Sequence, residues 1–101
     1  MANTYQTEMV SVSTTGSDIT IFVASGNTIV RDVMIYSKGG AATVSVLFDD
    51  RTTDDVIAKK SLTAEETWRP FTAPIAMTNA QDIAVNTSAT VTILITYVEF
   101  D

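Results

Sequence analysis

The chain has 101 residues, a formal net charge of −6 and neither histidine nor cysteine. A chain of this length forms one domain, and the missing residues exclude disulfides, thiolate-bound metals and nucleophilic catalysis by a serine–histidine or cysteine–histidine pair. Nucleic-acid binding needs clustered lysine and arginine, whereas the 6 basic residues here are scattered along an acidic sequence. We therefore expect no enzyme and no nucleic-acid-binding protein.

Residues 1–8 are polar and lack strong periodicity. They carry neither the basic nor the apolar segment of a signal peptide. A polar terminus is usually disordered, but in a protein that assembles it can be an arm that orders on a neighbouring subunit. We expect an arm over residues 1–8 and a single domain over residues 9–101.

Branched side chains dominate the rest of the chain. Thr, Val and Ile supply 37 of the 101 residues and Leu supplies 3, and side chains branched at Cβ favour strands over helices. Turn residues divide the sequence into short segments, and the predicted strands cover residues 9–14, 19–24, 27–37, 42–48, 56–62, 67–71, 82–86 and 90–100. This spacing predicts an all-β domain, an antiparallel β-sandwich or jelly-roll-like barrel of about eight short strands. No apolar run approaches the roughly 20 residues of a membrane span.

Two of these strands carry apolar residues on both faces. Met34 and Tyr36 alternate with core-type neighbours in the third strand, and Leu94 and Phe100 do so in the last. The outer face of a free sandwich is normally polar, although singly exposed apolar side chains are common. We expect a subunit interface that uses Met34, Tyr36, Leu94 and Phe100.

An acidic loop and a single tryptophan are the remaining candidates for a binding role. The loop Asp49–Asp55 holds four carboxylates in seven residues, but its spacing does not match a calcium-binding loop, and Arg51 lowers its charge. A solvated loop is the expected structure, and we predict no metal and no cofactor. Trp68, the single tryptophan, can cap the core, join an interface or contact a ligand.

The sequence from about Ile19 to Phe100 resembles a group of small bacteriophage virion proteins. The matching features, in chain order, are residues 23–33 with the Gly26-Asn27 turn, residues 39–50 with the acidic pair Asp49-Asp50, the turn Leu62-Thr63-Ala64-Glu65-Glu66-Thr67, Pro74-Ile75, residues 82–85 and the final strand Tyr97-Val98-Glu99-Phe100. In that group the turn usually reads Leu-x-Ala-Gly-Glu-Thr, so Glu65 stands where glycine is common.

The resemblance implies a β-sandwich on the outside of a phage head, or on its neck or tail, and a protein made in the host cytoplasm. It implies no catalytic or ligand-binding residue. We expect a capsid decoration (cement) protein, a homotrimer that bridges subunits of the major capsid protein. Asn3, Thr4, Tyr5, Gln6 and Trp68 are the expected partner contacts. The alternative is a tail, neck or fibre module that binds a host surface or another virion protein.

Overall fold

A computed structural model describes residues 4–49 and 54–100 of the chain. Within these residues it contains nine strands and no helix, namely β1 (Thr4–Val12), β2 (Ile19–Val23), β3 (Thr28–Ser37), β4 (Ala42–Asp49), β5 (Asp54–Leu62), β6 (Thr67–Trp68), β7 (Ile75–Met77), β8 (Asp82–Thr87) and β9 (Val91–Glu99). The predicted all-β class is confirmed. The predicted strands lie close to these bounds except that β1 begins earlier, β6 spans two residues rather than the five of 67–71, and β7 was not predicted.

The strands form two antiparallel sheets. The five-stranded sheet has the order β1-β9-β3-β6, with β7 also paired to β3, and the four-stranded sheet has the order β2-β8-β4-β5. The chain passes repeatedly from one sheet to the other, so that most neighbours in a sheet are distant in sequence; β4 and β5 are consecutive neighbours. This order, with β7 as an addition, is that of a double-sheet jelly roll, which decides between the two architectures that the sequence left open.

The hydrophobic core lies between the two sheets. Each central strand sends alternate side chains inward, as the period of two requires, and branched residues fill the layer. Those with a relative exposure below 2% are Ile35, Ile83, Ile93, Ile95, Val30, Val33, Val44, Val46, Val85, Val91, Thr28 and Thr87. The high Val, Ile and Thr content of the sequence thus corresponds directly to this interior.

The first strand begins earlier than the sequence predicts. Strand β1 starts at Thr4, and the register pairs Thr4 with Glu99 and Val12 with Val91, so the predicted boundary between arm and domain at residue 8 falls inside a strand. Gln6 and Glu8 occupy the inward side together with Val10 and Val12, yet both are exposed. Because this half of the strand is polar on that side, its alternation was not visible as a hydrophobic pattern. The role of residues 1–8 as an arm on neighbouring subunits stays a prediction.

The turn at Thr63–Glu66 holds a residue other than glycine, Glu65, in the left-handed region. Glu65 has φ = 65°, and the Glu66 N–H donates to the Thr63 carbonyl over 3.2 Å, which makes Glu65 the third residue of a type II turn. The Glu66 carboxylate accepts from the Thr63 N–H at 2.9 Å and pairs with Lys60 Nζ at 2.9 Å. These contacts hold a non-glycine residue in a left-handed conformation.

Glu65→Gly is therefore expected to stabilise the domain by about 0.5 kcal/mol. The substitution removes a left-handed non-glycine residue, which costs about 1–2 kcal/mol, but the flexibility of glycine in the unfolded chain offsets about 0.5–1 kcal/mol of this stabilisation. Denaturant unfolding measures the change. Ala64→Gly is the matched control, because Ala64 precedes Glu65 in the same turn and is not among the residues with positive φ; it should destabilise the domain. Equal effects of the two substitutions would contradict this account of the turn.

Candidate functional site

The outer face of the five-stranded sheet, the side that points away from the four-stranded sheet, carries two apolar rows. The pairing of β1, β9 and β3 places Met9 beside Leu94 and Leu94 beside Met34; we call these three residues the Met9 row. The same pairing places Tyr5 beside Val98 and Val98 beside Ile29; these form the Tyr5 row. Between the rows lie Thr7, Thr96 and Asp32.

The Met9 row is open to solvent. Met9 is 72% exposed, and Leu94 and Met34 are half-buried. With Tyr36, Thr92, Lys38 and Glu65 they line a shallow depression of about 570 Å³. An apolar strip of this kind with charged groups at its margin is typical of a surface that contacts another macromolecule.

The ion pair between Arg69 and Asp32 lies beside the depression, and Arg69 also contacts Met34, one of the residues that line it. Arg69 Nε donates to Asp32 Oδ2 at 3.2 Å, and Arg69 Nη2 lies 3.3 Å from the sulfur of Met34. A pair as exposed as this one contributes little to stability. Its consequence is positional, because it holds a cation against the apolar row.

The structure brings three of the four predicted interface residues together. Met34 and Leu94 are register neighbours, and Tyr36 lies two residues beyond Met34 and pairs with Thr92. Phe100 is separate: it follows the end of β9, six residues from Leu94 or roughly 20 Å along the strand, where its N–H donates to the carbonyl of Asn27. Met9 was not among the predicted interface residues, and only the register of β1 against β9 places it beside Leu94.

The predicted partner contacts lie on opposite edges of the five-stranded sheet, in β1 and in β6. Thr4, Tyr5 and Gln6 belong to β1 and are exposed, and Tyr5 is 71% exposed. Asn3 lies outside the described residues. Trp68 pairs with Ile35 in register and packs, partly buried, against the hydrophobic core. A partner contact through any of these residues stays a prediction.

A second, polar cleft of about 310 Å³ lies beside the β2 edge and is lined by Glu8, Ser25, Tyr97, Glu99 and neighbouring residues of β2. The Tyr97 ring contacts that of Phe22, with centroids 4.7 Å apart. Its hydroxyl lies 2.9 Å from Gln6 Oε1 and 3.0 Å from Glu8 Oε1, and its single proton is shared between these two acceptors. The cleft thus links the polar half of β1 to the end of the core.

Burial raises the pKa of Tyr97 to about 12, and the hydrogen bond to Glu8 and the charges of Glu8 and Glu99 add to this rise. In the unfolded chain a tyrosine titrates near 10. A raised folded-state pKa means that the folded protein holds the proton more tightly, so the contribution of Tyr97 to stability is complete below about pH 10 and is lost as the pH rises towards about 12. Urea unfolding between these limits should show the decline.

The variant Tyr97→Phe tests this assignment. It should lose stability at neutral pH, by about 1 kcal/mol for the lost hydroxyl contacts, and should show a smaller alkaline decline than the wild type. Tyr36→Phe, which alters a tyrosine on the outer face, is the control and should retain the full decline. An undiminished decline in Tyr97→Phe would show that another group causes it.

The acidic loop lies largely outside what the structure describes, since residues 50–53 are not included. Within residues 4–49 and 54–100, no group of three or more acidic side chains is arranged to hold a metal ion. The same part of the chain contains no helix long and apolar enough to cross a membrane.

No family model matches the chain, and no curated protein matches it. Among solved structures, it is similar to a protein of the Bacillus endospore appendages, a family of disulfide-linked pili, with a TM-score of 0.65 and 10% identity over 95% of this chain and 86% of that chain. A chain from the virus-like particle of the extra small virus of the giant freshwater prawn Macrobrachium rosenbergii aligns with a TM-score of 0.45 and 16% identity, over 100% of this chain and 82% of that one. At such identities the likeness concerns the fold alone.

Proposed function

We propose that this chain is a non-enzymatic structural subunit of an assembled particle, and that it meets its neighbours through the outer face of the five-stranded sheet. The observation that carries the proposal is the Met9 row, which places three apolar side chains side by side across β1, β9 and β3. Burying such a row against a neighbour removes apolar surface from water, which is the main favourable term in association.

The particle we propose is a bacteriophage virion, and the position a decoration site on its head. The resemblance of residues 19–100 to small phage virion proteins supports this choice. Three copies around a local threefold axis would bury Met34, Tyr36 and Leu94 against sister subunits, while Tyr5, Gln6 and the end of the sandwich would contact the major capsid protein. Contacts that exist only in the assembled shell stabilise it by mass action.

Non-covalent contacts suit this chain. The similar appendage protein belongs to a family of disulfide-linked pili, whereas this sequence contains no cysteine. An assembly of this chain cannot be joined by disulfides, and the outer apolar face supplies side-chain packing instead.

The test is reconstitution. Heads are purified from a phage that lacks the gene for this chain and are mixed with the purified protein. Electron cryo-microscopy then locates the bound copies. The proposal expects density in groups of three at symmetric positions on the outside of the head. Binding only to tails or necks would favour an accessory module there, and a chain that binds no part of the particle would overturn the virion role.

A further inference from the structure

Strand β1 presents a long, regular edge. Its nine residues pair with β9 without a register shift, whereas the edge strands β2 and β5 of the other sheet both pair across a bulge. Bulges, prolines, lysines and inward-pointing charged residues are the usual devices that prevent an edge strand from pairing with another chain. Of these, β1 contains only the inward Glu8, whose charge a complementary partner residue can meet. The opposite edge of the same sheet consists of the short strands β6 and β7. The edge that can accept a further strand is therefore β1.

The hydrogen-bond pattern shows which backbone groups point to that edge. The Phe100 N–H donates to Asn27 and the Thr90 carbonyl accepts from Gly39, so the even-numbered residues of this segment face β3. The odd-numbered residues of β9 then face β1. Through the register of the two strands, the even-numbered residues of β1 bond to β9, and Tyr5, Thr7, Met9 and Ser11 direct their N–H and C=O groups to the free edge.

We infer that two copies of this chain pair their β1 strands antiparallel, about a twofold axis at Thr7, and so extend the sheet across both molecules. This register brings together backbone groups that all point to the edge. It places Gln6 of each copy opposite Glu8 of the other, so that an amide donor meets a carboxylate. It also places Tyr5 of each copy opposite Met9 of the other, and such aromatic–sulfur contacts are favourable.

Neighbouring registers are less complementary. An axis at Glu8 would set the two Glu8 carboxylates directly opposite each other, and like charges in that position are destabilising. An axis at Gln6 would set Tyr5 against Thr7 and leave Met9 without an apolar neighbour among the strand residues that the structure describes. The charge and apolar pattern of β1 thus selects the axis at Thr7.

The contact between Tyr5 and Met9 also joins the outer faces of the two copies. With Met9 of one copy opposite Tyr5 of the other, the Met9 row of the first copy continues into the Tyr5 row of the second. Two such six-residue apolar rows cross the seam, related by the twofold axis, with the polar row of Thr7, Thr96 and Asp32 between them. Moving the twofold axis by one residue, to Gln6 or Glu8, would place the apolar rows of one copy opposite polar residues of the other.

This contact uses the strand edge rather than the face, and it requires neither a virion nor a trimer. It therefore survives if the proposed function fails, and can fail while the proposed function survives. Sedimentation equilibrium of the purified protein over a range of concentrations measures the dimer dissociation constant. A protein that remains monomeric up to millimolar concentration would overturn the inference.

Substitutions at Gln6 test the register by their sign. Gln6→Glu faces Glu8 of the other copy at two symmetric places, and should raise the dissociation constant about tenfold or more. Gln6→Lys should lower it, because each lysine meets a carboxylate. Ser61→Glu and Ser61→Lys are the matched controls, since Ser61 is exposed on β5, which lies at the opposite end of the other sheet from β2; both should leave the dissociation constant unchanged. If the two Gln6 variants shift it in the same direction, the register is wrong.

Cross-linking locates the axis without altering Gln6, whose own contacts with Tyr97 and Glu99 could affect folding. Because the chain has no cysteine, Thr7→Cys introduces a single thiol next to its symmetry mate, about 5.5 Å away between Cα atoms. A short bismaleimide should link this variant to a covalent dimer, whereas Ser61→Cys, on the distant strand β5, should remain monomeric on denaturing gels. Equal yields from the two variants would overturn the pairing.

Discussion

A protein in which both Met34 and Leu94 are replaced by aspartate should no longer assemble through the outer face, while its monomer should still fold. Both side chains are half-buried on that face, so in the monomer the new carboxylates remain in contact with water. In an assembly the same groups would be covered by a neighbour. An unpaired carboxylate that is buried costs several kcal/mol, enough to abolish an interface that relies on the Met9 row.

Sedimentation velocity and circular dichroism give the two readouts, oligomeric state and fold. The control is Ser45→Asp with Ser61→Asp, which adds the same charge to the four-stranded sheet, where Ser61 is exposed and Ser45 is half-buried and pairs with Lys59. This control should assemble as the wild type does. If the Met34/Leu94 variant also assembles normally, the outer face is not the contact. If the two double variants both dissociate, the effect is one of total charge.

Two adjacent residues of β9 provide the second large prediction. Ile93 is fully buried between the sheets, with Val10 and Ile35 beside it in register, whereas Leu94 lies on the outer face. Their side chains are isomers, so truncation to alanine removes the same atoms from opposite sides of one strand. Ile93→Ala should cost about 2–5 kcal/mol of unfolding free energy because it leaves a cavity, and Leu94→Ala roughly 1 kcal/mol because its site is only half-buried.

Denaturant unfolding at low protein concentration isolates the monomer, since subunit contacts would otherwise add a concentration-dependent term. A domain of this kind has a total stability of about 5–15 kcal/mol, so Ile93→Ala removes a large share of it. The reverse should hold for assembly, which Leu94→Ala weakens and Ile93→Ala affects only through folding. Equal costs in the monomer would mean that the outer face is as well covered as the core.

Much of the fold could be predicted from the sequence because the signals were local. Alternation of branched residues identifies the strands, and turn residues such as Gly26 and the segment 63–66 separate them. Strand order could not be predicted, because the pairing of β1 with β9 joins the two ends of the described chain and no local pattern encodes it. The first half of β1 was missed for a related reason: its inward residues Gln6 and Glu8 are polar, and only the pairing with β9 makes them strand.

The candidate site was predictable in the same partial way. Apolar residues on both faces of β3 and β9 indicate that Met34, Tyr36 and Leu94 point outward, and the structure places them together. Parity alone groups residues by side, and it placed Phe100 with Leu94. The spacing of six residues between them, roughly 20 Å of strand, already separates Phe100 from the other three. Met9 joins the row only through the register of β1, which is a property of the whole sheet.

The position of β9 also determines when this protein can fold. It lies between β1 and β3 in the five-stranded sheet, yet it follows every other described strand in the chain. A ribosome therefore completes β1 and β3 long before the strand that joins them exists, and their apolar sides must wait unpaired during synthesis. Such non-local pairing slows folding and exposes the nascent chain to aggregation, so the yield of native protein should depend on chaperones and growth temperature.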